Sequence, residues 1–157
     1  MSDDVRVVAT GSAHDPEGRL RKNSPGVIEV LERLQAKVAA HADEMALVSG
    51  EPCEGAETLV VSYGISARAA REACRRLRAA GRRVSFLQLQ TLFPVPLAAL
   101  RRAARDCSRV FVVEENLTGL YASVLESHLS GARVARVNAL GRMIAPAEIV
   151  AAVEAPS

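Results

Sequence analysis

Continuous apolar runs alternate with stretches of helical periodicity over the second two thirds of the chain. Three runs, at 58–63, 84–89 and 109–114, are apolar at most positions, which is the pattern of strands buried on both faces of a sheet. Between and after them, apolar residues recur every three or four positions and predict helices. A fourth run, Val134 to Val137, is interrupted by Arg136 and predicts an edge strand. This alternation predicts an α/β domain of three layers, αβα, built on an open, mostly parallel sheet.

Glycine, proline and asparagine mark the ends of the predicted helices. Gly81 closes the helix that follows the first run, and Pro96 and Pro146 open the helices that follow the second and fourth runs. Asn116 is a candidate cap for the helix that follows the third run. The inward face of that helix is predicted to consist of Leu117, Leu120, Val124, Leu125 and His128.

The first third of the chain is organised differently. Residues 10–24 are polar and rich in turn formers, and the short apolar run Val5–Ala9 before them could pair at a sheet edge or lie along a neighbour. Ser24 and Pro25 begin a helix whose apolar stripe can cover its own sheet or pack on another subunit. The stripe consists of Val27, Leu31, Leu34 and Val38. The predicted boundaries are an extended arm at 1–24 and a single domain at 25–157, divided into a helix at 25–42, a linker at 43–56 and a βα repeat at 57–154.

Composition narrows the class of protein. With 157 residues, 49% of them apolar and 24% charged, the chain is expected to form one globular domain with a core of its own. Its three cysteines show no CxxC spacing, which argues against a disulfide framework, a zinc site or an iron–sulfur cluster held by this chain alone. No apolar run is long enough to span a membrane, and the first residues lack the order of a signal peptide. We therefore expect a cytoplasmic, reducing location and no membrane partner.

Charge is distributed unevenly along the chain. Residues 1–57 carry 11 acids against 6 Lys and Arg, whereas 58–157 carry 7 acids against 14. Seven arginines fall between Arg68 and Arg83, with Glu72 as the only acid among them. They are interpreted either as a solvated helix face or as a docking face for an acidic partner protein. Nucleic acid is not expected as a partner, because aromatic residues are scarce and no nucleic-acid-binding motif is present.

Candidate site residues follow the predicted strands, because ligands of open α/β sheets bind at the carboxyl ends of the strands. Gly64 and Ser66 precede a helix and form a candidate anion site; the alternative is that Ser66 only caps that helix. Glu114 and Glu115 are adjacent and should point to opposite faces, so that one is a buried acid or interface anchor, or forms a salt bridge at the strand end. The candidate anion or interface residues are Tyr63, Gly64, Ser66, Thr91, Glu114 and Asn116.

The remaining chemistry-bearing residues do not assemble into a predicted catalytic site. His14 and Asp15 lie in the predicted arm, where a local hydrogen bond is the simplest interpretation and a contact to a partner is the alternative. No histidines stand at metal-ligand spacing, and no nucleophile and base occur together. We therefore predict no catalytic, cofactor-binding or metal-binding residue in this chain.

Five motifs in order resemble the C-terminal part of the alpha subunit of 2-oxoacid:ferredoxin oxidoreductases, a transketolase C-terminal-like domain. They are TGSAHDPEG, LVVSYGISARAAREA, FLQLQTLFPVP, VFVVEENLTGLYASVLE and GRMIAPAEIVAAV. The resemblance implies a sheet of about five strands with one antiparallel edge strand. It also implies membership of a complex that oxidatively decarboxylates a 2-oxoacid to an acyl-CoA with thiamine diphosphate, Mg²⁺, iron–sulfur clusters and coenzyme A.

The motifs do not include the family's pyrimidine-binding and diphosphate-binding domains, so no residue of the thiamine chemistry is carried over to this chain. The resemblance therefore implies a non-catalytic assembly subunit or domain whose partners bind the cofactors, either as a natural split subunit or as an excised piece. A homo-oligomer is a further possibility. One alternative is the third domain of a transketolase-like or acyl-transferring thiamine enzyme. An alternative of another class is a stand-alone module that binds a small anion or a protein.

Overall fold

A computed structural model describes residues 11–15 and 17–156. The chain divides into two compact units with the boundary between Ala42 and Asp43, and each unit is described by itself. The first unit contains helix α1 (Pro25–Ala40). The second contains β1 (Val48–Glu51), β2 (Thr58–Tyr63), α2 (Ser66–Ala79), β3 (Val84–Leu89), α3 (Leu97–Ala104), β4 (Arg109–Glu114), α4 (Leu120–Glu126), β5 (Arg133–Asn138) and α5 (Pro146–Glu154).

The strands of the second unit form one mixed sheet. Their spatial order is β1-β3-β2-β4-β5. β2, β3, β4 and β5 are mutually parallel, whereas β1 pairs antiparallel with β3 at the edge. The carboxyl ends of the four parallel strands therefore lie along one end of the sheet, together with the start of β1. The predicted α/β fold, a mostly parallel five-stranded sheet with one antiparallel edge strand, is confirmed.

Alternate residues of the central strands pack into two separate hydrophobic cores, one on each face of the sheet. The domain therefore has three layers, with helices on both sides of the sheet. Val60 of β2 packs in the core that contains the buried faces of α2 and α5. Leu59 and Val61 of the same strand point to the other side, where α3 and α4 supply the covering side chains. Because both faces are covered, β2 and β4 are buried at five of their six positions. The three-layer arrangement predicted from the continuous apolar runs is confirmed.

One strand was missed by the sequence prediction. β1 lies inside residues 43–56, which were interpreted as a linker, and its sequence is only VSGE. Four residues with a serine and a glycine do not make a strand pattern by themselves. The segment becomes a strand because Val48 to Glu51 find partners in β3, from Leu89 back to Phe86. The apolar run Val5–Ala9, a candidate for pairing at a sheet edge or lying along a neighbour, is outside the described residues.

The first unit consists of a turn followed by α1. An isolated antiparallel bridge joins His14 and Leu20, so that the described part of the predicted arm folds back on itself. α1 begins after Ser24 with proline at its first position, as its sequence predicts. Leu31 and Leu34 of its predicted apolar stripe are exposed. None of the helices in the described ranges combines the length and the hydropathy that a membrane crossing requires.

Candidate interface at the carboxyl end of the sheet

Four loops meet at the carboxyl end of the parallel strands. The turn after β2 contains Gly64 and Ile65, and the loops after β3, β4 and β5 span 90–96, 115–119 and 139–145. Since β3, β2, β4 and β5 are successive neighbours in the sheet, these loops are also neighbours. The structure therefore brings together all six residues that the sequence selected after strands, and it places His14 and Asp15 in the other unit.

Glu114 is the centre of this end of the molecule. Its side chain is fully buried, with 0% exposure. Its Oε2 atom accepts hydrogen bonds from the Tyr63 hydroxyl at 2.9 Å, from Asn116 Nδ2 at 2.6 Å and from the amide of Tyr121 at 3.1 Å. Its Oε1 atom accepts one from the amide of Ala122 at 2.9 Å. The carboxylate thus binds donors from two strand ends and from the first turn of α4, and it holds them together.

Asn116 completes the start of α4. Its Oδ1 atom accepts hydrogen bonds from the amides of Gly119 at 2.6 Å and Leu120 at 3.2 Å. Gly119 itself is left-handed, with φ of 71°, a conformation that favours glycine. Asn116 and Glu114 together satisfy amides of the first turn that a helix start leaves without partners. The helix begins only at Leu120 and its N-cap residue is Gly119, so Asn116 is not the cap residue that the sequence predicts; it bonds the start of the helix from the loop before it.

Tyr63 and Tyr121 connect this cluster to the loop after β3. Their rings lie edge to face, with centroids 5.4 Å apart. The Tyr121 hydroxyl donates a hydrogen bond to the carbonyl of Leu92 at 2.9 Å. Burial, and then the bond to Glu114, raise the pKa of Tyr63 to about 12. We call Tyr63, Leu92, Glu114, Asn116 and Tyr121 the strand-end network.

The hydroxyl of Ser66 is used within the fold. It donates to the carbonyl of Tyr63 at 2.8 Å and lies 3.1 Å from the hydroxyl of Ser62, which donates to the carbonyl of Val113. α2 starts at Ser66 without a side-chain cap, so the alternative in which Ser66 caps that helix is wrong. Gly64 adopts a left-handed φ of 58° and turns the chain from β2 into the helix. Anion binding at this turn stays a prediction.

Thr91 fixes the loop after β3 to the segment before β1. Its hydroxyl donates to the carbonyl of Met45 at 2.6 Å and accepts a bond from the amide of Leu47 at 3.2 Å. The amides of Gln90 and Thr91 both donate to the carbonyl of Leu47. Thr91 thus anchors the loop that carries Leu92 into the strand-end network.

In the first unit, Asp15 organises its own turn. Its carboxylate accepts bonds from the amides of Glu17 and Arg19 and lies 3.3 Å from the guanidinium of Arg19 and 3.4 Å from that of Arg21. The bond from the Arg19 amide is the main reason why the pKa of Asp15 is lowered. These contacts match the simple interpretation of the pair as a locally bonded turn. A partner contact through His14 or Asp15 stays a prediction.

Large apolar side chains surround the strand-end network and are exposed. Leu117, Leu120 and Val124 were predicted to face inward, and this prediction is wrong: the exposed fractions of Leu117 and Leu120 are 70% and 68%. The reason is that α4 starts after Gly119, so the inward face is Ala122 and Leu125. We define the apolar rim as six side chains that are more than half exposed and come from the four loops or, for Leu120, from the first residue of α4: Ile65, Phe93, Leu117, Leu120, Leu140 and Met143.

In residues 11–15 and 17–156, no group of three or more His, Cys, Asp or Glu is placed to hold a metal ion. Burial raises the pKa of the Cys74 thiol to about 12 and also raises that of Cys107, so neither is a thiolate near neutral pH. The buried acid of the site, Glu114, already accepts four hydrogen bonds. Its oxygens are therefore committed to the fold.

The arginines of the α2 region are mostly paired within the chain. Arg71 and Arg78 contact Glu51 of β1, Arg75 and Arg76 contact Glu72, and Arg82 contacts Glu154. This arrangement corresponds to a solvated helix face with internal ion pairs. It leaves less unpaired charge for an acidic partner than the sequence alone indicates.

Replacement of Tyr63 by phenylalanine is expected to lower the free energy of unfolding at neutral pH by about 1–2 kcal/mol, because one donor to Glu114 is lost. The raised pKa adds a pH dependence. The pKa of the tyrosine hydroxyl is 10.0 in the unfolded chain and about 12 in the folded one. The contribution of the protonated Tyr63 hydroxyl to the free energy of unfolding is therefore complete below pH 10 and is lost as the pH rises through 12.

The measurement is urea unfolding of the wild type and Tyr63→Phe between pH 8 and 12, with tyrosinate absorbance as a second readout. The chain has two tyrosines and no tryptophan, so absorbance reports the tyrosines directly. The wild type should lose stability more steeply than the variant above about pH 10. Parallel curves for the two proteins would contradict the assigned bond between Tyr63 and Glu114.

Comparison with protein-family models gives one match that covers most of the chain. Residues 56–149 match the family described as pyruvate:ferredoxin oxidoreductase core domain II. Among curated proteins, the 2-oxoglutarate synthase subunit KorA of Methanothermobacter thermautotrophicus is 32% identical over 125 residues, which are 79% of this chain and 33% of the relative. The pyruvate synthase subunit PorA of the same organism is 32% identical over 112 residues, 68% of this chain and 29% of the relative. The chain thus spans about a third of the length of these relatives.

Solved structures show the same fold. A 2-oxoglutarate:ferredoxin oxidoreductase from Magnetococcus marinus, determined with 2-oxoglutarate, coenzyme A and succinyl-CoA bound, superposes with a TM-score of 0.77 at 24% identity over 98% of this chain and 27% of that one. The transketolase of Campylobacter jejuni gives a TM-score of 0.51 at 12% identity over 71% of this chain and 18% of that one. A split-gene transketolase, described as an inactive beta4 tetramer, gives 0.58 at 26% identity over 68% of this chain and 40% of that one. The fold is therefore transketolase C-terminal-like.

Proposed function

The chain belongs to the pyruvate:ferredoxin oxidoreductase core domain II family, and on this premise we propose that it is a non-catalytic assembly domain of a 2-oxoacid:ferredoxin oxidoreductase. In this proposal the whole enzyme oxidatively decarboxylates a 2-oxoacid to an acyl-CoA. The domain contributes a rigid surface on which the coenzyme-binding parts assemble. The observation that carries the proposal is that the polar residues at the ligand-binding end of the sheet are bonded to one another, while exposed apolar side chains surround them.

The strand-end network supports a structural role for this end of the sheet. A group that binds substrate or transfers protons needs an oxygen or nitrogen that can reach a ligand. The two carboxylate oxygens of Glu114 are buried and accept bonds from four donors. The Tyr63 and Tyr121 hydroxyls both donate to protein oxygens. These contacts stabilise the loops instead of offering reactive groups.

The pattern of similarity supports the same role. Two relatives named for different 2-oxoacids, a 2-oxoglutarate synthase and a pyruvate synthase, are each 32% identical to this chain over their matched parts. The matched relatives also include a ketoisovalerate oxidoreductase subunit, VorB of Methanothermobacter marburgensis, which is 39% identical over 81 residues. Similarity to subunits named for three different 2-oxoacids fits a domain whose task is common to these enzymes.

Thiamine diphosphate and Mg²⁺ do not fit the residues described here. Mg²⁺ requires oxygen ligands arranged as an octahedron, usually with one or two carboxylates free to bind it. Within the described ranges no metal-ligand cluster occurs, and Glu114 of the carboxyl end is fully used. We therefore assign thiamine diphosphate, Mg²⁺, the iron–sulfur clusters and coenzyme A to the companion parts, which carry the pyrimidine-binding and diphosphate-binding domains.

The third-domain role in a transketolase-like enzyme is the second candidate for this fold. The split-gene transketolase structure favours it, with 26% identity and a TM-score of 0.58. The oxidoreductase assignment is preferred because the family model covers residues 56–149 and the curated relatives above are subunits of 2-oxoacid synthases.

The proposal is tested with the purified chain and its companion chains. Calorimetric titration of the chain alone with thiamine diphosphate and Mg²⁺ is expected to give no binding, and assays with pyruvate or 2-oxoglutarate and ferredoxin should give no turnover. The companion chains carrying the two thiamine-binding domains should bind the coenzyme and should form a stoichiometric complex with this chain. Turnover by the chain alone, or companions that are fully active and never bind it, would overturn the proposal.

A further inference from the structure

The exposed apolar side chains of the second unit are concentrated at one end. Five members of the apolar rim come from loops at the carboxyl end of the parallel strands, and the sixth, Leu120, is the first residue of α4. Phe93 is the most exposed of them, at 81%. Leu47, which is also exposed, precedes β1 and lies at the same end because β1 runs antiparallel. A concentration of exposed apolar side chains at one end of a folded domain marks an interaction site.

The opposite end of the sheet has a different surface. In the described part of residues 43–156, the loops at the amino ends of the parallel strands contribute no large exposed apolar side chain. They expose charged residues instead, including Glu54, Arg82, Arg83, Arg105 and Asp106. Both ends of the sheet are made of loops, so the contrast does not follow from loop structure itself. It shows which end is suited to contact with another apolar surface.

The four loops that carry the apolar rim have few charges of their own. Arg142 is the basic residue among them, and it forms a two-point pair with Glu148 at 2.6 and 2.8 Å. Glu115 is the acid, and its Oε1 atom accepts a bond from the amide of Ile144 at 3.4 Å. A surface that binds anionic lipid carries several unpaired basic residues beside its apolar side chains. This surface does not, so it fits an uncharged protein surface.

The backbone beneath the apolar rim is fixed in advance of binding. The strand-end network joins the end of β2, the loop after β3 and the start of α4 through Tyr63, Leu92 and Glu114. These are the elements that carry Ile65, Phe93 and Leu120. Rigid loops lose little conformational entropy when a partner binds, which favours tight association.

We propose that the apolar rim is the docking surface for an uncharged, apolar face of the coenzyme-binding part of the same oxidoreductase. The inference rests on the proposed function and names the surface that performs it. The matched stretch makes up only about a third of the curated relatives, so in those proteins a domain of this kind is attached to a much larger remainder. We therefore expect the surface that covers the apolar rim to belong to the part of the enzyme that corresponds to this remainder. Five of the seven arginines of the α2 region form ion pairs within the chain, which makes that face the less favoured contact.

Phe93→Ser and Leu120→Ser test the proposal, with Arg76→Ser as the matched control on the α2 face. All three side chains are exposed, so the variants should unfold close to the wild-type temperature. Affinity for the companion chains is measured by calorimetry. Each rim variant is expected to raise Kd by about 10- to 100-fold, as for an exposed anchor that becomes buried in an interface, and the control by less than about 2-fold.

The outcomes separate this inference from the function on which it rests. Unchanged affinity of both rim variants for the companion chains would overturn the docking surface and leave the assembly role in place. Failure of the wild type itself to bind the companions would overturn the assembly role. Analytical ultracentrifugation of the chain alone then measures whether it forms a dimer. If the wild type forms a dimer that the rim substitutions abolish, while binding to the companions is unaffected, the surface joins two copies of this chain and the proposed occupant is wrong.

Discussion

Replacement of Glu114 by alanine is expected to lower the free energy of unfolding by about 3–5 kcal/mol, the largest effect of any substitution at the carboxyl end of the sheet. The change removes the common acceptor of Tyr63, Asn116 and two amides of α4. A buried donor without an acceptor has lost its bonds to water and gained none in the protein, so its full desolvation free energy is lost from the stability of the fold. The measurement is equilibrium urea unfolding followed by far-ultraviolet circular dichroism.

Two further variants make the Glu114 experiment decisive. Glu114→Gln keeps the shape but turns one acceptor oxygen into a donor that faces other donors, so we expect an intermediate cost of about 2 kcal/mol. Glu115→Ala is the neighbouring control, because that side chain is exposed and accepts one long bond. Its cost should stay within about 0.5 kcal/mol. Equal stability of the alanine variants at 114 and 115 would contradict the strand-end network.

Replacement of Leu125 by alanine is expected to cost about 2–5 kcal/mol, because the side chain is fully buried in the core formed with α3. α4 has only seven residues, and its buried face consists of Ala122 and Leu125. A helix this short is held by its packing and by its bonded first turn, since an isolated helix of that length is not stable in water. Removal of its larger buried side chain should therefore loosen the helix that carries Leu120.

Val124→Ala is the control for this prediction. Val124 is adjacent in sequence but exposed, so its truncation should change the free energy of unfolding by no more than about 0.5 kcal/mol. Thermal unfolding of the two variants gives the comparison, and hydrogen exchange of the α4 amides shows whether the loss is local. Similar costs for both variants would mean that the inward face of α4 is assigned incorrectly.

The sheet was predictable because its central strands are buried on both faces. β2, β3 and β4 are continuous apolar runs, and their predicted and observed bounds agree. β1 was not predictable from its own four residues, since its identity as a strand depends on pairing with β3 nearly 40 residues later along the chain. The local pattern of apolar residues identifies strands that are buried on both faces. It misses strands that form only because they pair with a segment distant in sequence.

The polar residues of the site were predictable, but their role was not. Their positions after the strands selected Tyr63, Glu114 and Asn116 correctly as neighbours. The sequence does not show that these side chains would bond to one another, because it gives no distances. Rim residue Leu117 was misplaced for a local reason: the left-handed Gly119 delays the helix, so Leu117 stays in the loop. Within α4, Leu120 and Val124 share one face and the buried Ala122 and Leu125 share another. A glycine three residues after a predicted cap is the signal that could have revealed it.

An activity titration shows whether the enzyme complex needs this chain. Companion chains carrying the thiamine-binding domains, held at fixed concentration, are mixed with increasing amounts of this chain and assayed with a 2-oxoacid, coenzyme A and ferredoxin. We expect activity to rise to a plateau at a fixed molar ratio, and the same ratio to be found in the purified complex. Activity that is independent of the added chain, or that increases in proportion to this chain when no companion is present, would contradict the proposed assembly role.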